Sequence, residues 1–190
     1  RAYGLDYAYN LYNELTKGLL EDEKMKFALR VGTYNLWNNI KRQFPEEEKG
    51  SSRADFSLPY LLDALEYAHK LNDKRIFTRA ITHIIYLYPY FDRAKYNDLS
   101  ADGSDFFKQE LNKFCGSDTD ISCLGPFENS GLGPLANAFY QTYLYDSATM
   151  VYQYLLDQTN LIDLSTNQDE KTKAYLHELH YRLGLMKLKF

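Results

Sequence analysis

The sequence SLPYLLDALEYAHKLNDKRIFTRAITHIIYLYP, residues 57–89, decides the fold class of this chain. Its apolar residues recur at steps of three and four, the period that places side chains on one face of an α-helix. Asn72 and Asp73 interrupt the pattern and restart it, and Pro89 ends it. We therefore predict two helices, the first beginning at the start of this stretch with Pro59 in its first turn. The inward residues are Leu58, Leu61, Leu62, Leu65 and Ala68, followed by Ile76, Phe77, Ala80, Ile81, Ile84 and Tyr88.

The two predicted helices resemble the helix hairpin of the tetratricopeptide family. Ala68 and Ala80 lie twelve residues apart, where small side chains would let the two helices approach closely. The resemblance is confined to residues 58–88, and no fixed period holds over three units of the chain. We therefore do not assign the chain to that family.

Five further helices are predicted on either side of this pair, and no strand is predicted. They are an N-terminal helix over 5–20, a second helix over 21–44 that Pro45 stops, a short helix over 105–114, a long helix from Pro134 through Leu155, and a last helix that 165–169 caps and that carries Leu176, Leu179, Leu183 and Met186. The predicted fold class is thus all-α. We expect one domain over residues 1–190, an irregular helical bundle or short α-solenoid of about seven helices, with a long irregular region at 90–133.

The composition is that of an ordinary globular protein except for its aromatic residues. Eighteen Tyr and eleven Phe accompany a single Trp, and most of the Tyr fall on helical spacing. Tyr residues can line half-buried contacts between helices or hydrated recognition surfaces. Their helical spacing here favours contacts between helices. The net charge of −4 is spread along the chain, so we predict no nucleic-acid partner. No apolar run approaches the ~20 residues of a membrane span, and none is predicted.

Cys115 and Cys123 are separated by seven residues in the polar stretch FCGSDTDISC. A loop of this size closes readily through a disulfide, and an even number of cysteines in one local loop is typical of an oxidising compartment. We predict a disulfide and a secreted, periplasmic or cell-surface location; a pair of free cysteines in a cytoplasmic protein is the alternative. Because the sequence begins at Arg1 and not at Met, we also expect that an N-terminal segment has been removed.

Residues 98–110, DLSADGSDFFKQE, resemble the Ca²⁺-binding loop of an EF-hand. Oxygen-bearing side chains at alternate positions allow a chain to wrap round a hard cation, and Gly103 would supply the sharp turn. Ca²⁺ is accordingly the one cofactor that we predict, and no other cofactor is expected. The predicted ligands are Asp98, Ser100, Asp102 and Glu110.

The same stretch departs from the EF-hand pattern at two positions. Asp105 stands where an apolar residue is usual, and Gln109 occupies the place of the bidentate Glu, one residue before Glu110. The alternative is an Asx-turn followed by a helix N-cap at Asp102 or Ser104, which uses the same residue types for backbone hydrogen bonds.

Other groups of residues are weaker candidates for a metal or catalytic site. Glu66 and His69 have the spacing found in di-iron bundles, but only one such pair is present. The sequence HELH at 177–180 is one residue short of a zinc-binding HExxH, and a solvated helix face is the alternative. His83 lies among isoleucines and is interpreted as a core histidine. No nucleophile motif and no glycine-rich phosphate loop is present, so no catalytic residue is predicted.

These observations favour a recognition function. We expect a helical interaction module whose Tyr-rich helix faces and 90–133 region bind a protein, peptide or glycan. The alternative is an accessory or catalytic helical domain that acts on a polymer, with carboxylates drawn from residues 98–120 near a bound Ca²⁺.

Overall fold

The computed structural model describes residues 2–41, 51–90, 94–118, 120–125, 131–161 and 170–188. Within these ranges the chain forms eight α-helices and a 3₁₀ turn and contains no strand, which confirms the predicted all-α class. The chain divides into two compact units, Arg1–Ala101 and Asp102–Phe190. A single domain over 1–190 stays a prediction. No described helix is both long enough and apolar enough to cross a membrane.

The N-terminal unit is built from four helices. They are α1 (Ala2–Thr16), α2 (Glu21–Lys41), α3 (Ser51–Leu71) and α4 (Lys74–Leu87). Helix α3 packs against both α2 and α4, and α2 also contacts α4. The predicted restart between α3 and α4 is confirmed, because Asn72 has a positive φ of 51° and the Asp73 carboxylate accepts a hydrogen bond from the Ile76 N–H at 2.9 Å. The core of this unit includes Met25, Leu58, Leu61, Phe77, Ile81, Ile84 and Ile85.

The predicted start of α3 is wrong. The helix begins at Ser51, so Pro59 is its ninth residue and lies in the helix interior. Proline there removes one backbone hydrogen bond and disfavours the helix by about 3 kcal/mol. Leu58 and Leu61 on either side are both fully buried, and this packing offsets that cost. The predicted end of α2 at Pro45 lies outside the described residues.

The C-terminal unit contains four further helices and the 3₁₀ turn. These are α5 (Gly103–Cys115), the turn Ser122–Leu124, α6 (Leu132–Gln141), α7 (Tyr145–Leu161) and α8 (Glu170–Lys187). Helix α7 packs against α6 and α8. The predicted short helix over 105–114 is confirmed as α5. The caps predicted at 165–169 lie outside the described residues.

The long helix predicted from Pro134 through Leu155 is wrong, since it is divided into α6 and α7. Thr142 caps α6, Tyr143 adopts a left-handed conformation with φ of 64°, and the Leu144 N–H bonds back to the Phe139 carbonyl at 2.9 Å. The Tyr143 N–H bonds to the Tyr140 carbonyl. This pattern is a Schellman motif with Tyr at the position that Gly usually occupies. The missing Gly explains why the sequence pattern does not reveal the break.

Candidate functional site

The predicted disulfide is present in the C-terminal unit. Cys115, the last residue of α5, is joined to Cys123 in the 3₁₀ turn, with 5.8 Å between the Cα atoms. The short loop between them begins at Gly116, which ends α5 in a left-handed conformation, and it buries Ile121. Leu124, the residue after Cys123, is buried as well. The bridge therefore closes a polar loop whose buried residues lie at its C-terminal end.

The predicted Ca²⁺ ligands are divided between the two units, with Asp98 and Ser100 in the first and Asp102 and Glu110 in the second. Asp98 is exposed, and the Ser100 carbonyl accepts a hydrogen bond from the Tyr88 hydroxyl. Glu110 is 8% exposed and its carboxylate accepts a hydrogen bond from Lys113 Nζ at 2.6 Å. No cluster of three or more metal-binding His, Cys, Asp or Glu occurs in the part of the chain that the structure describes. The Ca²⁺ site stays a prediction.

The N-cap alternative agrees with the backbone. Asp102 is the N-cap residue of α5 and has extended dihedral angles, φ −121° and ψ 142°, although its side chain makes no capping hydrogen bond. Ser104 is the second residue of the helix, and its hydroxyl accepts a hydrogen bond from the Ser147 hydroxyl of α7 at 2.9 Å. This polar contact is buried and joins α5 to α7 within the C-terminal unit.

The weaker candidates for a metal site are exposed, buried singly or paired with other residues. The Glu66 carboxylate is 2.7 Å from Lys70 Nζ, and His69 lies edge-on to the Phe77 ring. In the 177–180 sequence both histidines are exposed, and the carboxylate binds Arg182. His83 is half-buried on α4. Burial, with a smaller contribution from the charge of Arg79, lowers the pKa of His83 from 6.5 to about 4, so it is neutral at physiological pH.

A cluster of tyrosines joins α1 to α3. The Tyr9 hydroxyl donates to both carboxylate oxygens of Asp63, at 3.0 and 3.1 Å, and Tyr12 also bonds this carboxylate. Tyr12 stacks on Phe27 and lies edge-on to Tyr60. Burial raises the pKa of Asp63 in spite of these hydrogen bonds, and burial also raises the pKa of Tyr9. The cluster is thus a half-buried helix contact, the use of Tyr that the spacing favours.

A second aromatic group lies at the turn between α6 and α7. Tyr145 contacts both Tyr140 and Tyr143, with ring centroids 5.8 and 6.1 Å apart, and Tyr143 is 76% exposed. Arg182 on α8 lies over the Tyr140 ring and is held by Glu178 of its own helix. The charge of Arg182 is therefore already paired.

A cavity of about 780 Å³ lies in the N-terminal unit, between α2 and α4. Leu29 and Ile76 are buried and form its apolar floor, and Val31 adds a half-buried apolar side chain. Tyr34, which is 69% exposed, also lines it. We name this cavity the α2–α4 groove.

The polar lining of the α2–α4 groove is cationic. Lys26, Arg30 and Arg79 line it together with Thr33, and no acidic residue among those that the structure describes does so. Lys26, Arg30 and Tyr34 succeed one another at four-residue steps, which places them on one side of α2. That spacing was visible in the sequence. The facing residues of α4 were not identifiable, because only the tertiary structure shows that α2 and α4 touch.

Comparison of the chain with protein-family models, with curated proteins and with solved structures found no match.

Proposed function

We propose that this chain is a protein-recognition module that binds a segment of a partner protein in the α2–α4 groove. The observation that carries the proposal is the cavity itself, whose volume of about 780 Å³ lies within the size range of ligand pockets. Its apolar floor can accept a buried side chain of the partner, and its charged walls remain in contact with water.

The arrangement matches the anatomy of binding interfaces. Their energy is concentrated in a few well-packed apolar or aromatic contacts at the centre, surrounded by a polar rim. Leu29 and Ile76 supply the apolar centre, and Tyr34 supplies an exposed aromatic ring beside it. Tyr is among the residue types enriched at energetically dominant interface positions because it brings a large contact area with few rotatable bonds.

The Cys115–Cys123 disulfide supports a secreted, periplasmic or cell-surface location for this module. Disulfides persist in oxidising compartments and are rare in the cytosol, where thiols are kept reduced. A cytoplasmic location remains the alternative.

The experiment is a selection of peptides from a displayed random library on the wild-type protein. Two variants disturb the groove: Val31→Trp fills it, and Tyr34→Ala removes its exposed ring. Tyr90→Ala is the matched control, since Tyr90 is 55% exposed in the same unit and does not line the groove. We expect selected peptides whose affinity falls in both groove variants and is kept in the control. Peptides that bind all four proteins equally, or no selected peptide, would contradict the proposal.

The other function considered, a catalytic or accessory domain on a polymer, has less support. Glycoside hydrolysis commonly uses a pair of carboxyl groups that flank the scissile bond. In the described residues the tyrosine cluster encloses the carboxylate of Asp63, whereas nearby Glu66 is exposed and paired with Lys70. This function stays a prediction.

A further inference from the structure

We infer that the segment bound in the α2–α4 groove is acidic, and that Arg30 and Arg79 bind its carboxylate side chains. This inference rests on the proposed function and names the chemical class of the partner. Three properties of the groove support it: its local charge, the lack of internal partners for its two arginines, and a hydroxyl group that is left without a bond.

The charge of the groove is opposite to that of the whole protein. The chain carries a net charge of −4, yet of the eight described residues that line the groove three are cationic and none is acidic. Lys26 is paired with Asp22, so the unpaired positive charge comes from Arg30 and Arg79. Charged surfaces of opposite sign attract and orient binding partners, whereas surfaces of like sign repel them. A local positive surface on an acidic protein therefore favours a negatively charged segment.

Arg30 and Arg79 lack the ion pairs that several other cationic residues on the described helices form, and Arg75, which lies outside the groove, lacks one as well. No acidic residue stands three or four positions from either arginine, and neither forms an ion pair with the described residues. Elsewhere, ion pairs at this spacing join Lys17 to Glu14, Lys26 to Asp22, Lys70 to Glu66, Lys113 to Glu110 and Arg182 to Glu178. The two guanidinium groups are thus available, and their planar geometry suits a carboxylate that accepts two hydrogen bonds.

Thr33 supplies a third group. Threonine hydroxyls in helices often donate to the carbonyl four residues earlier, as Thr16, Thr78, Thr82 and Thr142 do. Thr33 lines the groove, but its hydroxyl is shielded from solvent and has no hydrogen-bond partner among the described residues. Thr adopts either of two rotamers in a helix, and Thr33 would have to change rotamer for a bound carboxylate or backbone carbonyl to accept its proton.

The apolar floor distinguishes a peptide from other anions. Leu29 and Ile76 offer nothing to a small inorganic anion, whereas a peptide can place an aliphatic side chain on them beside its acidic residues. Nucleic acid is disfavoured as well, because binding to it relies on many phosphate contacts along a cationic stripe. An acidic segment with an apolar side chain can bind the cationic side chains of the groove and also pack on Leu29 and Ile76.

Two synthetic peptides test the inference: one repeats Glu-Glu-Leu, and its counterpart repeats Gln-Gln-Leu. We expect the acidic peptide to bind the wild-type protein at least about tenfold more tightly than the neutral peptide, and to lose affinity at high salt. Arg30→Gln and Arg79→Gln should each weaken binding. Arg75→Gln is the matched control, because Arg75 is exposed on α4 and does not line the groove.

The inference of an acidic partner can be overturned by three results. Equal binding of both peptides, an equal loss of affinity in Arg75→Gln, or no binding of the acidic peptide would overturn the inference. If the library selection still yields peptides that depend on Val31 and Tyr34, the proposed recognition function stands and only the acidic partner is rejected. Circular dichroism of each variant verifies that the helices are retained.

Discussion

Gly32 on α2 lies so close to Leu61 on α3 that a Cβ atom at position 32 would be 2.8 Å from Leu61 Cγ and Cδ2. It would also be 3.3 Å from the Leu61 backbone nitrogen. Leu61 is fully buried, so it has little room to move. The absence of a side chain at Gly32 is therefore what permits α2 and α3 to pack at this distance.

Gly32→Ala should destabilise the protein. The overlap with Leu61 costs about 1–3 kcal/mol, which exceeds the gain of about 1 kcal/mol from the better helix propensity of Ala. Gly184→Ala on α8 is the control, because its Cβ would meet no atom within 4 Å. Urea denaturation should show opposite changes in the free energy of unfolding for the two variants. Equal stabilisation in both would mean that the Gly32 contact is not restrictive.

Asp63→Asn should stabilise the N-terminal unit at neutral pH. Folding raises the pKa of Asp63, so its contribution to stability is present below the unfolded pKa, near 4, and is lost as pH rises through the folded pKa. Asn keeps an oxygen acceptor for the Tyr9 hydroxyl without a charge. When melting temperatures are measured from pH 4 to pH 8, that of the variant should exceed that of the wild type at the upper end of this pH range. Asp22→Asn, at an exposed carboxylate whose pKa Lys26 lowers, should not show this gain.

His83 should make the protein sensitive to mild acid. Its pKa falls from 6.5 to about 4 on folding. Its contribution to the free energy of unfolding is therefore present above pH 6.5 and is lost as the pH falls towards 4. The corresponding loss of stability is about 3 kcal/mol. His83→Gln should flatten the dependence of unfolding free energy on pH between 4 and 7. Parallel curves for His83→Gln and wild type would contradict this assignment.

Removal of the Cys115–Cys123 disulfide should destabilise the C-terminal unit by about 2 kcal/mol, the effect of releasing a short closed loop. The double variant with Ala at both positions is compared with wild type in thermal unfolding. Intact mass measured without reductant should be lower than the reduced mass by two hydrogen atoms. Two alkylated thiols in the untreated protein would show that the bridge does not form.

Tyr143→Gly should stabilise the protein by about 1 kcal/mol, because Gly adopts the left-handed conformation of this turn without steric cost. Gly116→Ala is the reciprocal test at the end of α5, where φ is 74° and the added Cβ would meet no atom within 4 Å. It should destabilise by a similar amount. Changes of the same sign in both variants would exclude backbone conformation as the cause.

The helices and the disulfide were predictable because both depend on residues that are close in sequence. The period of three and four identifies each buried face, as at Leu58 and Leu61, and the eight-residue separation of Cys115 and Cys123 restricts where they can meet. Two predictions were wrong, the start of α3 and the absence of a break before α7. Both concern a residue whose backbone conformation is unusual for its residue type. Pro59 lies inside a helix, and Tyr143 occupies a position typical of Gly.

The sequence by itself determined the all-α class, most helix limits and the cysteine pairing, since amphipathic period and loop closure are local properties. Only the tertiary structure decided that Arg79 of α4 shares a cavity with Arg30 of α2, and that Asp63 lies beneath Tyr9 and Tyr12. Such contacts depend on which helix faces pack together. That choice is made by the fit of whole buried surfaces and leaves no pattern in a short stretch of sequence.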